Sequence, residues 1–185
     1  PPRVVLPAMM PALAGSRTHA LIENLDHSIW IGTHNQGLFR VAADFGSVRN
    51  YPASIKGASF IRDLAIGPDE RLWCTYFGGV ARFRQRPELS DDPIEERFEI
   101  EQGMPSIDTS SLLTTTAGEI LVSSRGGIAR LVRAADTTWK VASVWTMRAG
   151  LPSEATTDLA FDPAGNLWIG TFARGAMRLV QNGFR

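Results

Sequence analysis

The chain has 185 residues, 44% of them hydrophobic, with 19 Lys plus Arg balancing 19 Asp plus Glu, a composition of one ordinary globular domain rather than a disordered or disulfide-dense chain. Zero formal charge removes the whole-chain electrostatic footprint of a nucleic-acid binder, and the single cysteine, Cys74, cannot form an internal disulfide. No apolar run approaches the roughly 18 residues that cross a bilayer, and the first residues lack a basic stretch followed by an apolar one, so any signal peptide or anchor is expected outside this chain.

Short apolar stretches punctuated by Gly, Pro, Asp and Asn predict an all-β chain of short strands. In a first unit, Leu21 precedes Ile29-Trp30-Ile31, then Gly37 opens a segment ending at Arg40, and Val48 to Tyr51 is a candidate outer strand. The second unit repeats this with Leu64, Leu72-Trp73-Cys74, Gly79 and Arg82, and Arg97 to Ile100 is its candidate outer strand. The third has Leu112, Ile120-Leu121-Val122, Gly127 and Arg130, then Lys140 to Trp145. In the fourth, Thr157 to Phe161 is the innermost strand A, carrying Leu159; Leu167 to Thr171 around Trp168 is strand B; and Gly175 to Val180 with Arg178 is strand C. Between A and B lies Asp162-Pro163-Ala164-Gly165-Asn166, where proline pre-sets a negative φ and glycine accepts a positive one. Gly67-Pro68-Asp69-Glu70 and Ala117-Gly118 hold the same place in units two and three.

From Leu21 to Leu159 is 138 residues in three steps, a mean period of 46. A period in the forties with four short strands per unit predicts a β-propeller of about four four-stranded antiparallel blades. The blades are expected at about 17–56, 57–105, 106–152 and 153–185, with the last outer strand missing or supplied by residues 3–6. Pro1-Pro2 and the end at Arg185 read as cut points. The expectation is therefore an arc of a larger propeller rather than a small ring closed by Arg3 to Leu6 after Phe184, and its exposed end blades predict a homodimer or association with a missing propeller half.

Leu151-Pro152-Ser153, Asp158-Leu159, Gly165-Asn166-Leu167-Trp168-Ile169-Gly170-Thr171 and Gly175 together resemble the two-component regulator propeller repeat. Ser28-Ile29-Trp30-Ile31-Gly32-Thr33 with Gly37-Leu38 looks like a second copy, and units two and three like degenerate ones. The resemblance implies the extracytoplasmic, periplasmic sensor of a membrane-bound bacterial regulator, non-enzymatic and without a cofactor. Virginiamycin-type lyases share a similar turn and make a metal-dependent lyase or lactonase the alternative; an architectural docking propeller is a third reading.

His19 and His34 fall on one face of the ring and His27 on the other, too few together for a metal site. Cys74 stands in an aliphatic column and reads as a buried thiol. Glu88, Asp91, Asp92, Glu95, Glu96, Glu99 and Glu101, with Pro87 and Pro93 marking an insertion, read as a solvated loop between strands C and D. The arginines of strand C, the third strand from the axis, and the strand B anchors Trp30, Trp73, Leu121 and Trp168 are expected in seams between blades. Loops on the D to A and B to C face carry the varied residues: His34, Asn35, Gln36, Tyr76, Phe77, Arg125, Phe172 and Arg174, with Lys56, Ser59, Ser106, Asp108, Ser153 and Glu154. That face is expected to meet a small polar ligand, such as a carbohydrate, or a protein.

Overall fold

The computed structural model describes residues 11–51, 60–90, 92–151 and 153–180, which form fifteen strands in four antiparallel sheets. Each sheet is ordered along the chain. The first holds β1 (Thr18–Glu23), β2 (Ile29–Thr33), β3 (Leu38–Val41) and β4 (Val48–Tyr51); the second β5 (Ile61–Ile66), β6 (Leu72–Tyr76), β7 (Gly79–Phe83) and β8 (Ile94–Phe98). The third holds β9 (Thr109–Thr114), β10 (Ile120–Ser124), β11 (Gly127–Arg133) and β12 (Trp139–Trp145), and the fourth β13 (Thr156–Phe161), β14 (Leu167–Thr171) and β15 (Ala176–Leu179). Strands β1, β5, β9 and β13 lie side by side as the inner edges of successive blades. This is the all-β blade architecture that the repeat predicts. Arg3 to Leu6, Lys56, Ser59, Asp91, Pro152 and Phe184 lie outside the described residues.

One strand departs from expectation. The outer strand of the second blade is Ile94–Phe98 rather than 97–100, and Ile100–Gln102 is a 3-10 turn. Ile94 and Phe98 are both buried, and a bulge between them turns Ile94 to the seam with Phe83 and Phe98 to the seam with Trp73. Glu95 and Glu96 are therefore strand residues rather than part of a solvated insertion. Their carboxylates are held by Arg82, at 2.9 Å each.

Three apolar seams hold the blades together. Trp30 packs on Phe83 of the second blade at 5.9 Å between ring centroids, in one cluster with Leu64, Cys74 and Tyr76. Trp73 stacks on Phe98 and meets Trp139 of the third blade edge-on at 4.9 Å. In the third seam Leu121 takes the tryptophan's place against Leu159, Leu167 and Ile169. The anchor of strand B thus enters the following blade, and the leucine of strand A enters the preceding one. The two ends show the same rule by its failure: Leu21 is 65% and Trp168 42% exposed, against 7% for Leu64 and 0% for Trp73.

Polar contacts cross the seams at fixed places. Thr109 donates its hydroxyl to the carbonyls of Tyr76 and Gly79, and Thr156 repeats the bond one blade later, to Ser124 and Gly127. Asp63 accepts the Leu112 N–H at 2.7 Å. Arg40 pairs with Asp26 of its own turn and reaches Glu88 across the seam at 3.0 Å, its guanidinium over Trp30. Buried Arg82 holds Asp69, Glu95 and Glu96, and Glu96 also accepts the Trp139 N–H of the next blade. Arg130 pairs with Glu119, while Arg178 of the last blade is exposed. Removing the cation at the buried network leaves Asp69 and Glu96 without a charged partner, while Glu95 keeps Arg71, so Arg82→Met should cost about 3–5 kcal/mol in urea unfolding. Arg40→Met, with more exposed partners, should cost about 1 kcal/mol or less.

Each A to B turn places one residue in the left-handed region, three positions before the anchor: His27 (φ 62°), Glu70 (φ 60°), Gly118 (φ 76°) and Gly165 (φ 79°). Glycine adopts that conformation freely, whereas a side chain is strained there by about 1–2 kcal/mol. Glu70→Gly should therefore raise stability by about 0.5–1 kcal/mol. Gly118→Ala should lower it by about 1 kcal/mol, although a methyl there meets nothing closer than 3.6 Å. Equal and opposite shifts in the thermal midpoint would show that the turn, and not packing, sets both effects.

Candidate ligand-binding face

The innermost strands carry a column that the seams do not use. Two residues before each strand A leucine stand His19, Arg62, Ser110 and Thr157. All four line one open cavity of about 370 Å³ on the D to A and B to C face, with Phe60, Arg125 and Phe172 around them. Arg62 and Ser110 stand on β5 and β9, which have a neighbouring blade on both sides, and His19 and Thr157 on the end strands β1 and β13, each packed on one.

Asp108 organises the cavity. Its two carboxylate oxygens lie 2.5 Å from Arg62 Nη1 and 2.5 Å from Arg125 Nε. Its carbonyl accepts the Arg125 N–H, its own N–H donates to Ser106 Oγ, and it bridges to Phe77. One residue thereby fixes the B to C loops of two blades. Each arginine also lies over an aromatic ring, Arg62 over Phe60 at 4.6 Å and Arg125 over Phe172 at 5.2 Å, contacts that favour a cation and orient the planar fork. On the other side, His34 packs on Phe60 at 4.4 Å and His19 lies 5.5 Å from His34.

The expected face residues separate into three groups. His34, Asp108, Arg125 and Phe172 meet at the cavity or directly behind it. Asn35, Gln36, Phe77, Ser106, Ser153, Glu154 and Arg174 lie on the surrounding loops; Gln36 bonds Ser16, and the Arg174 N–H donates to Thr171 Oγ1. Tyr76 is corrected: it is 1% exposed in the first seam with its hydroxyl on Glu99 at 2.5 Å, and so is closed to a ligand. Loop position alone suggested it, but the last residue of β6 turns inward. Phe60, Arg62, Ser110 and Thr157 were absent from that expectation, and their common offset from the leucine column is the signal that finds them. His27 points to the opposite face and pairs with Glu23. Among the described residues no group of three or more His, Cys, Asp or Glu is placed to hold a metal. Cys74 is fully buried and its thiol is pushed up to about 12 by that burial.

His19 reports the potential of the site. Its pKa is lowered from 6.5 by burial and then by the positive charges of His34, Arg62 and Arg17. The unfolded chain therefore takes up this proton first, and the His19 contribution to stability falls as pH drops from the ordinary histidine value to the lower folded one. A proton NMR titration should place His19 below 6.5, and Arg62→Gln should move it back toward that value.

The fourth unit matches the two component regulator propeller family over residues 150–173. No curated protein matches the chain. Among solved structures, it is similar to the extracellular domain of hybrid two component system BT4673 from B. thetaiotaomicron, at TM-score 0.76 and 16% identity, covering 99% of this chain and 26% of that one. That of BT3049 from the same organism gives TM-score 0.69 and 22% identity over 84% of this chain and 20% of that one. A catalytically inactive virginiamycin B lyase from Staphylococcus aureus, solved with quinupristin, gives TM-score 0.66 and 16% identity over 91% and 54%. The chain thus spans about a fifth to a quarter of the length of the two extracellular domains. The chain therefore has a propeller-like all-β fold of four antiparallel sheets, and residues 150–173 match the two component regulator propeller family.

Proposed function

We propose that this chain is part of the extracytoplasmic sensor propeller of a bacterial signal-transduction regulator, and that it works by recognising a small polar molecule rather than by catalysis. The observation that carries the reading is the Asp108-centred cavity. Chemically varied side chains converge there on a frame that is otherwise repeated, and its volume of about 370 Å³ is that of small-molecule sites. Extracytoplasmic placement is supported by the likeness to extracellular domains of two component systems. No helix among the described residues is long and apolar enough to cross a membrane.

A ligand that binds only the folded state raises thermal stability, by about 2.7 kcal/mol at a hundred times its dissociation constant. A thermal-shift screen of sugars and small anions should give stabilising members, and Ser110→Trp, which fills the cavity from its inner wall, should abolish their effect while leaving the unliganded midpoint within a few degrees. Shifts that survive Ser110→Trp would place recognition elsewhere. The lyase likeness supports a second reading, which a stoichiometric divalent ion on the purified protein, lost on replacing His19 and His34, would favour.

A further inference from the structure

We propose that the molecule bound in this cavity carries a carboxylate, seated on Arg62 and Arg125, and hydroxyl groups that meet Ser110 and Thr157. This inference rests on the cavity being the recognition site. The lining contains two guanidinium groups and no carboxylate, and a single acid, Asp108, lies behind both. One positive charge is left over at the cavity wall. Among the described residues no other acid forms an ion pair with either arginine. Both oxygens of Asp63 are bonded to backbone N–H groups, of Leu64 and Leu112, and Asp158 accepts the Leu159 N–H; neither lines the cavity, nor does Glu154.

An arginine has five N–H donors in a fixed fork. Arg125 commits Nε to Asp108 and remains 59% exposed, so its two terminal nitrogens face the cavity mouth. Arg62 directs Nη1 to Asp108, the Thr109 carbonyl and Ser110 Oγ, which leaves its other edge. Phe60 and Phe172 hold the two planes, and an oriented fork is suited to two parallel bonds to a carboxylate.

Charge balance selects the anion. One surplus positive charge is balanced by a monoanion, whereas a phosphate monoester brings about −1.5 to −2 at neutral pH and would leave the cavity negative. Ser110 and Thr157, on neighbouring inner strands, offer hydroxyls that both donate and accept, as a polyhydroxylated acid requires.

The test uses the 185-residue chain and matched probes: glucuronate against glucose, galacturonate against galactose, and glucose 6-phosphate as the dianion. Affinity is read by calorimetry, and location by NMR of the arginine Nε–H and of the Ser110 and Thr157 amides. At least one acid should bind about tenfold or more tightly than its neutral partner, shift the Arg62 and Arg125 signals, and weaken as salt is raised. Arg125→Gln should lose about tenfold or more toward the acid and little toward the sugar, and Arg125→Lys should recover only part, because the fork is lost. An unchanged melting temperature of both variants separates this loss from misfolding. Equal affinity for acid and neutral partner at these residues, or tighter binding of the phosphate, overturns the carboxylate and leaves the site standing. Perturbations confined to other surfaces overturn the site itself. Absence of binding by all probes overturns the assignment of a hydroxylated carboxylate.

Discussion

The interdigitation of strand B and strand A residues between neighbouring blades is the constraint on which the molecule rests. A twisted four-stranded sheet has two faces and no core of its own, so it becomes stable only when both are covered. Here the covering is done by a large anchor entering the blade ahead and a leucine entering the blade behind. Burying each tryptophan contributes on the order of a few kcal/mol. The arginine network of the second seam adds registry more than energy, since charges removed from water recover little beyond what their desolvation costs. Threonine hydroxyls at the ends of β9 and β13 then lock the height of one blade against the next.

Because those positions are committed to packing, variation in chemistry is pushed to the places that packing leaves free. On the innermost strand that is the position two residues before the leucine. His19, Arg62, Ser110 and Thr157 occupy it in successive blades, four different side chains on one repeated backbone. A propeller of this kind can alter what it recognises one blade at a time while the seams stay as they are. Asp108 limits that freedom, because it ties residues of two blades together and any change at Arg62 or Arg125 is felt by the other.

How far the sequence carried the reading follows from the same division. The fold was legible because packing residues recur: Leu64, Trp73 and Arg82 are recognisable by comparison with their counterparts, and strands β4 and β14 fall where the pattern puts them. The outer strand of the second blade was harder, since its exposed face carries acids and resembles a loop. Only the buried pair Ile94 and Phe98 betrays it. The site was partly legible. Loop membership pointed to Asp108, Arg125 and Phe172, but it also pointed to Tyr76, whose burial depends on Glu99 being near enough to accept its hydroxyl. Arg62 and Phe60 could not be reached by loop membership because they stand at the start of a strand.

The exposed tryptophan of the last blade has an optical consequence. Trp30, Trp73 and Trp139 are enclosed, whereas Trp168 stands at the surface with its indole N–H on Asp162 at 3.0 Å. An indole in water emits at longer wavelength than one in an apolar seam. The chain therefore carries its own fluorescent label on one of its two exposed end faces, and a blue shift of that emission would signal the moment the face is covered.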